Sequence, residues 1–462
     1  MGLDEGMRKG YDCFMIKNRE IRETERKISC DVLVAGGGIA GVMAAAAASK
    51  SGAETILVEA APFLGGVVTM GPLEALMTPE DAEKTVIAGI GREFLEMLEE
   101  MDEKAAPTPD TTGYCASIVP YDAELMEYTL HVFLHRYQVK VLTQAMLEEV
   151  KTKKGIITGA EVLTKTGRLE IICKALVDAT GNGYAAYLGG NDIMSGDKSG
   201  KHQPVTVLGR VGNVDISMLK TYVKSHLEDF KTFGKDIDLD AEFLHLWGFK
   251  GALREGYETG KLSLLRNEIH MMQTTRPGEV IINYSRVSAD PWREEELSKG
   301  QFLCTRQLHE LLGWFREKIP AFRDAYIIRS GYVGVRESGR IKGNYIMTKE
   351  DILTARRGDT DVGMGAFPID IHRQDNGMEC ERILTGYHIP WECLMAESLH
   401  NCFAAGRCVS SDFEANASLR ISMTCMSTGH AAGVMAAVYA ADGKNFRYEN
   451  VARILKEQGA IL

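Results

Sequence analysis

Asp31-Val32-Leu33-Val34-Ala35-Gly36-Gly37-Gly38-Ile39-Ala40-Gly41-Val42 is the stretch on which the fold turns. A short run of β-forming residues leads directly into glycines spaced G-x-G-x-x-G, and an alanine-rich helix continues from Val42 to Ala48. Gly36 permits a tight strand-to-helix turn, Gly38 lets the backbone approach a pyrophosphate, and Gly41 lets the helix pack close to the strand. The helix start offers unbonded N–H groups and a positive dipole end to phosphates. Ile56-Leu57-Val58 predicts a second strand ending in Glu59, an acid placed to accept from a ribose 2′-hydroxyl. A lone glycine triplet is weak; strand, loop, helix, strand and acid in this order predict a dinucleotide site. Glu59 also argues against a 2′-phosphate, hence against NADP here.

Outward from this unit, other segments choose between FAD and NAD. Ala60 to Leu64 lead from the acid to Gly65-Gly66-Val67. Ala175-Leu176-Val177 predicts a strand ending in Asp178-Ala179-Thr180-Gly181. Asn401 to Ala405 predicts another, ending at Gly406-Arg407, and Ser427-Thr428-Gly429-His430 opens a late alanine-rich helix. Such a helix can aim its N-terminus at the O2/N1 edge of a flavin. Widely separated segments of this kind suit one extended cleft around a long cofactor. Gly181-Asn182-Gly183-Tyr184-Ala185-Ala186 mimics a second fingerprint, but no helix, strand and terminal acid follow in order, so it reads as a flavin-contact loop.

Composition narrows the class. The chain has 462 residues, long enough for several domains' worth of core. A formal net charge of −11 argues against nucleic acid as a partner, where a basic face is the usual footprint. No apolar run reaches the roughly 18 residues of a membrane span, and the first twenty residues carry no apolar leader, so a cytoplasmic protein is expected. None of the ten cysteines forms a C-x-x-C pair, which favours buried thiols in a reducing compartment over zinc or a redox disulfide such as Cys402–Cys408. No metal is expected. A homo-oligomer is compatible with all of this.

The expected organisation is α/β: a Rossmann-like FAD-binding domain with an inserted mixed α+β substrate domain. Residues 1–28 read as an arm, 29–195 as the first part of the FAD-binding domain, 196–390 as a substrate-covering block, 391–442 as the second FAD-binding part and 443–462 as a C-terminal helix. Within these, Asp122–Arg136 and Leu297–Lys318 have helical spacing. Strands are expected over 139–142, 146–151, 155–163, 169–172, 204–211 and 279–287.

With these segments in place the chain resembles the FAD-dependent oxidoreductase family of the glutathione-reductase-2 type, related in fold to the fumarate reductase and succinate dehydrogenase flavoproteins. The resemblance spans roughly residues 30–440. It rests on VLVAGGGIAGVMAA (32–45), EAAPFLGG (59–66), VPYDAELM (119–126), VDATGNGYAAYLGG (177–190), GVRESGRIKGNY (334–345), FPIDIH (367–372) and AAGRCVS through SLRISMTCMSTGHAAG (404–433). It implies FAD, held non-covalently, because no histidine stands near Gly65-Gly66 and Thr69 follows instead. It also implies a cofactor set of Gly36, Gly38, Ile39, Ala40, Gly41, Glu59, Ala60, Gly65, Gly66, Val67, Thr180, Gly181, Gly406, Arg407, Arg420, Gly429 and His430. Three departures concern the flavin surroundings: Asn182, Gly339 and His430 stand where the family tends to have Asp, Arg, and Gln or Glu. Related flavoproteins also often have Asp where this chain has Arg407.

The chemistry then needs groups that orient a substrate and handle its proton. Arg336 and Arg340 could bind a substrate carboxylate or support the charge of the reduced flavin, or they could form a buried ion pair with Glu337. His372 could be a general base, or a satisfied structural histidine; Tyr387, beside His388, is a weaker candidate. The expected function is hydride transfer between flavin N5 and a small polar substrate, a hydroxy or keto acid or a carbohydrate-like molecule. The alternative is an electron-relay subunit, against which the missing iron–sulfur cysteine spacing weighs.

Overall fold

A computed structural model describes residues 26–73, 75–81, 84–373, 377–383 and 385–462. Most of the expected arm, and Cys13, lie outside the described residues. The arm's end forms strand β1 (Arg26–Ser29), and the decisive stretch forms β2 (Val32–Ala35), helix α1 (Ile39–Lys50) and β3 (Thr55–Glu59). Every residue of β2 is buried, as a parallel strand covered on both faces must be. Helices α2 (Ile90–Met101) and α3 (Ala123–Arg136) follow, then β4 (Lys140–Thr143). Asp122 caps α3, its carboxylate accepting from Glu124 N–H at 2.9 Å.

Next come β5 (Met146–Lys153), β6 (Ile156–Thr164), β7 (Gly167–Ile172) and β8 (Ala175–Asp178). The strands β5, β6 and β7 form an antiparallel meander, with β1 added in parallel on β7. The architecture is mixed α/β around a parallel sheet. Its order runs from Cys402–Ala404 through β8, β2 and β3 to β4. Residues more than 350 apart thus meet in one sheet. The segment after Gly181-Asn182-Gly183 is one short helix, Tyr184–Leu188. The strand beyond it, Ile193–Ser195, pairs antiparallel with Gly339–Ile341, outside the parallel sheet, so no second βαβ unit forms there.

The middle of the chain builds a second, antiparallel sheet from β9 (Gly209–Gly212), β10 (His245–Gly248), β11 (Ile269–Gln273), β12 (Val280–Asn283) and β13 (Tyr326–Ser330), backed by α4 (Glu294–Lys318). Helix α4 begins earlier than its apolar periodicity suggests, because Glu294, Glu295 and Glu296 favour the positive end of the dipole. Only Gly209–Gly212 of the expected strand 204–211 is regular. The Ser285 hydroxyl accepts from Val207 N–H at 2.8 Å and faces Val207 O at 2.8 Å, replacing ladder bonds by a side chain and ending β12 early.

Two large apolar cores result. One joins the parallel sheet to residues 341–389; the other runs from Val207 to Ala325. A smaller cluster, including Met77, Tyr114, Trp247, Met272 and Phe367, bridges them. Strand β14 (Ile369–His372) pairs antiparallel with Met378–Glu381, and the described chain closes with helices α5 (Ser422–Ala441) and α6 (Tyr448–Glu457). Among the described residues no helix is long and apolar enough to cross a membrane.

Candidate active site

A cleft of about 330 Å³ runs from the β2–α1 turn to the inner face of the antiparallel sheet. At the first end the wall includes Gly36, Gly38, Ile39, Ala40, Glu59, Gly65, Gly66, Val67, Thr180, Gly181, Gly406 and Arg407. Gly36 sits at φ +105°, and a Cβ there would lie 2.3 Å from the Ala179 carbonyl oxygen, so only glycine makes this turn. Gly38 has ordinary extended geometry, and a Cβ built on it meets nothing within 4 Å. The open space lies where a phosphate must approach the start of α1, which fits a dinucleotide. Glu59 is held in place by Gly37 N–H at 2.6 Å and Ala61 N–H at 2.7 Å, one on each carboxylate oxygen. Each oxygen keeps a further lone pair for a ribose hydroxyl.

The Asp178-Ala179-Thr180-Gly181 turn is organised from below. The buried Asp178 carboxylate accepts from Thr180 Oγ1 at 2.6 Å and from Ala186 N–H at 2.8 Å, which holds Thr180 and Gly181 on the wall. Arg407 donates through Nε to Gly181 O at 2.6 Å and through Nη1 to Val335 O. It ties two segments of the wall together, where related flavoproteins often carry an acid.

Four residues of the expected cofactor set stand off the wall. Gly41 serves packing, since a Cβ there would lie 1.9 Å from Gly36 O. Ala60 is exposed. Gly429 lets α5 cross α1, because its Cβ would come within 2.3 Å of Ala40 O. His430 is buried against Gly89 and bonds Gln458 at 2.9 Å. Burial pushes its imidazole down to about 4. Its expected place at the helix start fails because α5 begins at Ser422, eight residues earlier. Ser422 and Cys425, in that first turn, line the cleft instead.

The second end is cationic. Arg266, Arg286, Arg336 and Arg420 all reach the wall, with Asp370 as the acid among them. Arg336 donates to Pro204 O at 2.7 Å. Arg266 donates to Tyr284 O at 2.8 Å, and Arg420 lies 3.6 Å from Asp370 Oδ2. The Nε atoms of Arg286 and Arg420 are buried and have no hydrogen-bond partner among the described residues. Burial and the neighbouring guanidiniums pull Arg266 down to about 10 and Arg286 down to about 9. Each charge is costly to hold alone, and an anion would relieve all of them.

His372 lines this end, with both ring nitrogens engaged. Arg286 donates to Nδ1, so the ring proton sits on Nε2, facing Asp370 Oδ2 at 3.0 Å. Burial, then the nearby Arg336, holds His372 well below its ordinary range, so the ring is neutral. Arg340 lies off the cleft. It pairs with the fully buried Glu337, which also accepts from Gly196 N–H at 2.9 Å. Of the two arginines in one hexapeptide, one therefore serves the cleft and the other the ion pair. Tyr387 is also off the wall, its hydroxyl 2.7 Å from Ser418 Oγ beneath Gly365.

Sequence reasoning missed Arg266, Arg286, Asp370 and His270. Asp370 sits in the FPIDIH motif two residues before His372 but was given no role there, while Arg266 and Arg286 lie in loops and His270 among the apolar residues of a strand, with no short motif to mark them.

The chain matches the family model described as FAD dependent oxidoreductase over residues 31–457. No curated protein matches it. Among solved structures, a triple mutant of the flavin-dependent brominase Bmp2 is similar with a TM-score of 0.51 and 12% identity, over 93% of this chain and 84% of that one. Bmp2 itself gives 0.50 and 12%, over 93% and 83%. A geranylgeranyl bacteriochlorophyll reductase-like protein from Thermoplasma acidophilum gives 0.47 and 14%, over 93% and 83%. At such identities the Bmp2 likeness speaks for the fold alone.

Proposed function

The chain belongs to the FAD-dependent oxidoreductase family, and from that premise we propose that it exchanges a hydride between FAD and a small carboxylate-bearing substrate, a 2-hydroxy or 2-keto acid. The observation that carries this reading is the convergence of Arg266, Arg286, Arg336 and Arg420 on the cleft with Asp370 as their counter-charge. Arginine forks match a carboxylate in plane and hydrogen-bond geometry. A neutral carbohydrate would leave those charges uncompensated.

FAD, when bound, supplies a two-electron hydride acceptor or donor. The first end of the cleft would hold it non-covalently in a domain of glutathione-reductase type, a reading supported by the order of the parallel sheet and by the three-stranded meander, with β1 added in parallel, beside it. The positive start of α5 at Ser422 would face the ring. Residues 196–390 would supply the substrate side, with their own core between Val207 and Ala325. Met70, Leu73, Met77 and Leu208 line the cleft and would exclude water. Arg336 and Arg286 would fix the carboxylate. His372, with both nitrogens engaged, orients Arg286 and Asp370 rather than carrying the proton.

The test is anaerobic mixing of the yellow protein with hydroxy acids, neutral sugars and NAD(P)H. Bleaching by hydroxy acids alone is the expected result. Bleaching by sugars would overturn the substrate class, and a flavin that nothing bleaches would favour an electron-relay subunit.

A further inference from the structure

Behind the cationic end lies a buried set of titratable groups that the reading above does not use. Strand β10 alternates Leu246 into the second core with His245 and Trp247 towards the cleft side, and β11 likewise turns His270 and Met272 away from Met271. In this register Trp247 stands opposite His270, and the rings stack at 4.2 Å and 25°. Trp247 and His270 line the cleft; His245 lies one layer deeper and is fully buried. The loop holding Asp110 docks on the same strand, because Thr111 Oγ1 donates to His245 O at 2.8 Å and accepts from His245 N–H at 2.9 Å. Asp110 Oδ1 then meets His245 Nδ1 at 2.5 Å.

The indole of Trp247 can only donate, and it points at His245 Nε2 from 2.9 Å. His245 therefore carries its proton on Nδ1 and gives it to Asp110. The Nε2 of His270 also faces that lone pair, so it is the protonated nitrogen of the His270 ring. The Asp110 carboxylate is fixed in turn by Thr112 N–H at 3.1 Å and Cys115 N–H at 3.0 Å. Burial alone would raise its pKa, but the His245 imidazole outweighs that and holds it low. A chain of acceptor, donor and donor thus runs from a buried carboxylate to the wall of the cleft.

We infer that Asp110, His245 and His270 form a proton relay opening on the substrate end, with His270 exchanging the proton and His245 and Asp110 as positioning residues. This rests on the reading of that end as the substrate site. In the oxidative direction the substrate's O–H bond breaks and its proton passes to His270. The substrate's C–H electron pair leaves as hydride to oxidised flavin, and the C–O bond becomes a carbonyl. The positive charge gained by His270 is spread through Nε2–H to His245, whose Nδ1–H leans on the Asp110 carboxylate. The reverse direction returns the same proton to the carbonyl oxygen.

The test uses the full-length, FAD-loaded protein labelled with 15N-histidine. Spectra of the wild type should show His245 protonated on Nδ1 with a low-field shared proton. In Asp110→Asn that signal should vanish. Oxalate, an unreactive stand-in for a 2-hydroxy acid, should shift the His270 ring signals. Asp110→Asn and His245→Gln, the second guarding against a misfolded first, should bind oxalate with wild-type affinity yet slow flavin reduction by a hydroxy acid about 100-fold or more. His245 protonated on Nε2, His270 signals unmoved by bound oxalate, or reduction at wild-type speed in both variants would each overturn the relay. Oxalate that does not bind and hydroxy acids that do not bleach the flavin would overturn the substrate reading, while the resting proton positions decide the relay independently.

Discussion

His372 donates through Nε2 to Asp370 Oδ2 at 3.0 Å, from two residues further along strand β14. The i, i+2 spacing puts both side chains on one face of the strand, and Arg286 donates to the other ring nitrogen, Nδ1. The three groups form a clamp at the cleft wall. Replacing His372 with Asn should leave FAD content unchanged and weaken oxalate binding about 10-fold, the scale of one lost bond to a charged group. Equilibrium titration and single-turnover reduction separate this from a base role: a proton carrier's loss would depress the reduction rate at saturating substrate instead.

Arg336 and Arg340 should behave differently despite their proximity. Arg336→Met should raise the oxalate dissociation constant about 10–100-fold with little change in melting temperature, since it removes a charged donor from the cleft. Arg340→Met leaves the buried Glu337 with His202 and the Gly196 N–H but without its guanidinium, a loss of about 1–3 kcal/mol. Thermal unfolding should register that loss while anion affinity in the surviving folded protein stays near wild type.

Two glycines of the fingerprint give opposite outcomes. Gly38→Val should fold, because its backbone suits any residue and its Cβ meets open space. It should purify colourless, the side chain occupying the approach to the phosphates. Gly41→Val should be destabilised whether or not FAD is present, since its Cβ would lie 1.9 Å from Gly36 O. Circular dichroism and the visible spectrum together distinguish the two.

His430 makes stability fall on acidification. Burial lowers its folded pKa from 6.5 to about 4, so the unfolded chain binds a proton that the folded chain refuses between those values. The contribution is fully present above about pH 6.5 and is lost as the pH falls towards 4. His430→Gln, which keeps a partner for Gln458, should flatten the melting temperature between pH 6.5 and 4.5. A slope identical to wild type would remove His430 from the account.

The βαβ unit was legible because glycine spacing and apolar runs dictate backbone conformation locally. Gly36 must turn with positive φ, and β2 must be covered on both faces, whatever the rest of the chain does. The same locality explains why Thr180, Gly181 and Gly406 reach the wall: each follows a strand of one parallel sheet, at the same end. His430 and Gly429 were misplaced because the helix start at Ser422 has no capping side chain to mark it.

By itself, then, the sequence determined the strand, glycine turn, helix and second strand of the dinucleotide unit and the acid at Glu59, since these depend on residues close together in the chain. Only the tertiary structure decided what stands at the other end of the cleft. Asp110, His245, Arg266, Arg286, Arg336, His372 and Arg420 come from segments spread over three hundred residues. Whether such a side chain meets the cleft or an ion pair depends on strand register and on which face each sheet buries. Arg336 and Arg340 make the point: four residues apart in one motif, they were divided by packing between the site and the scaffold.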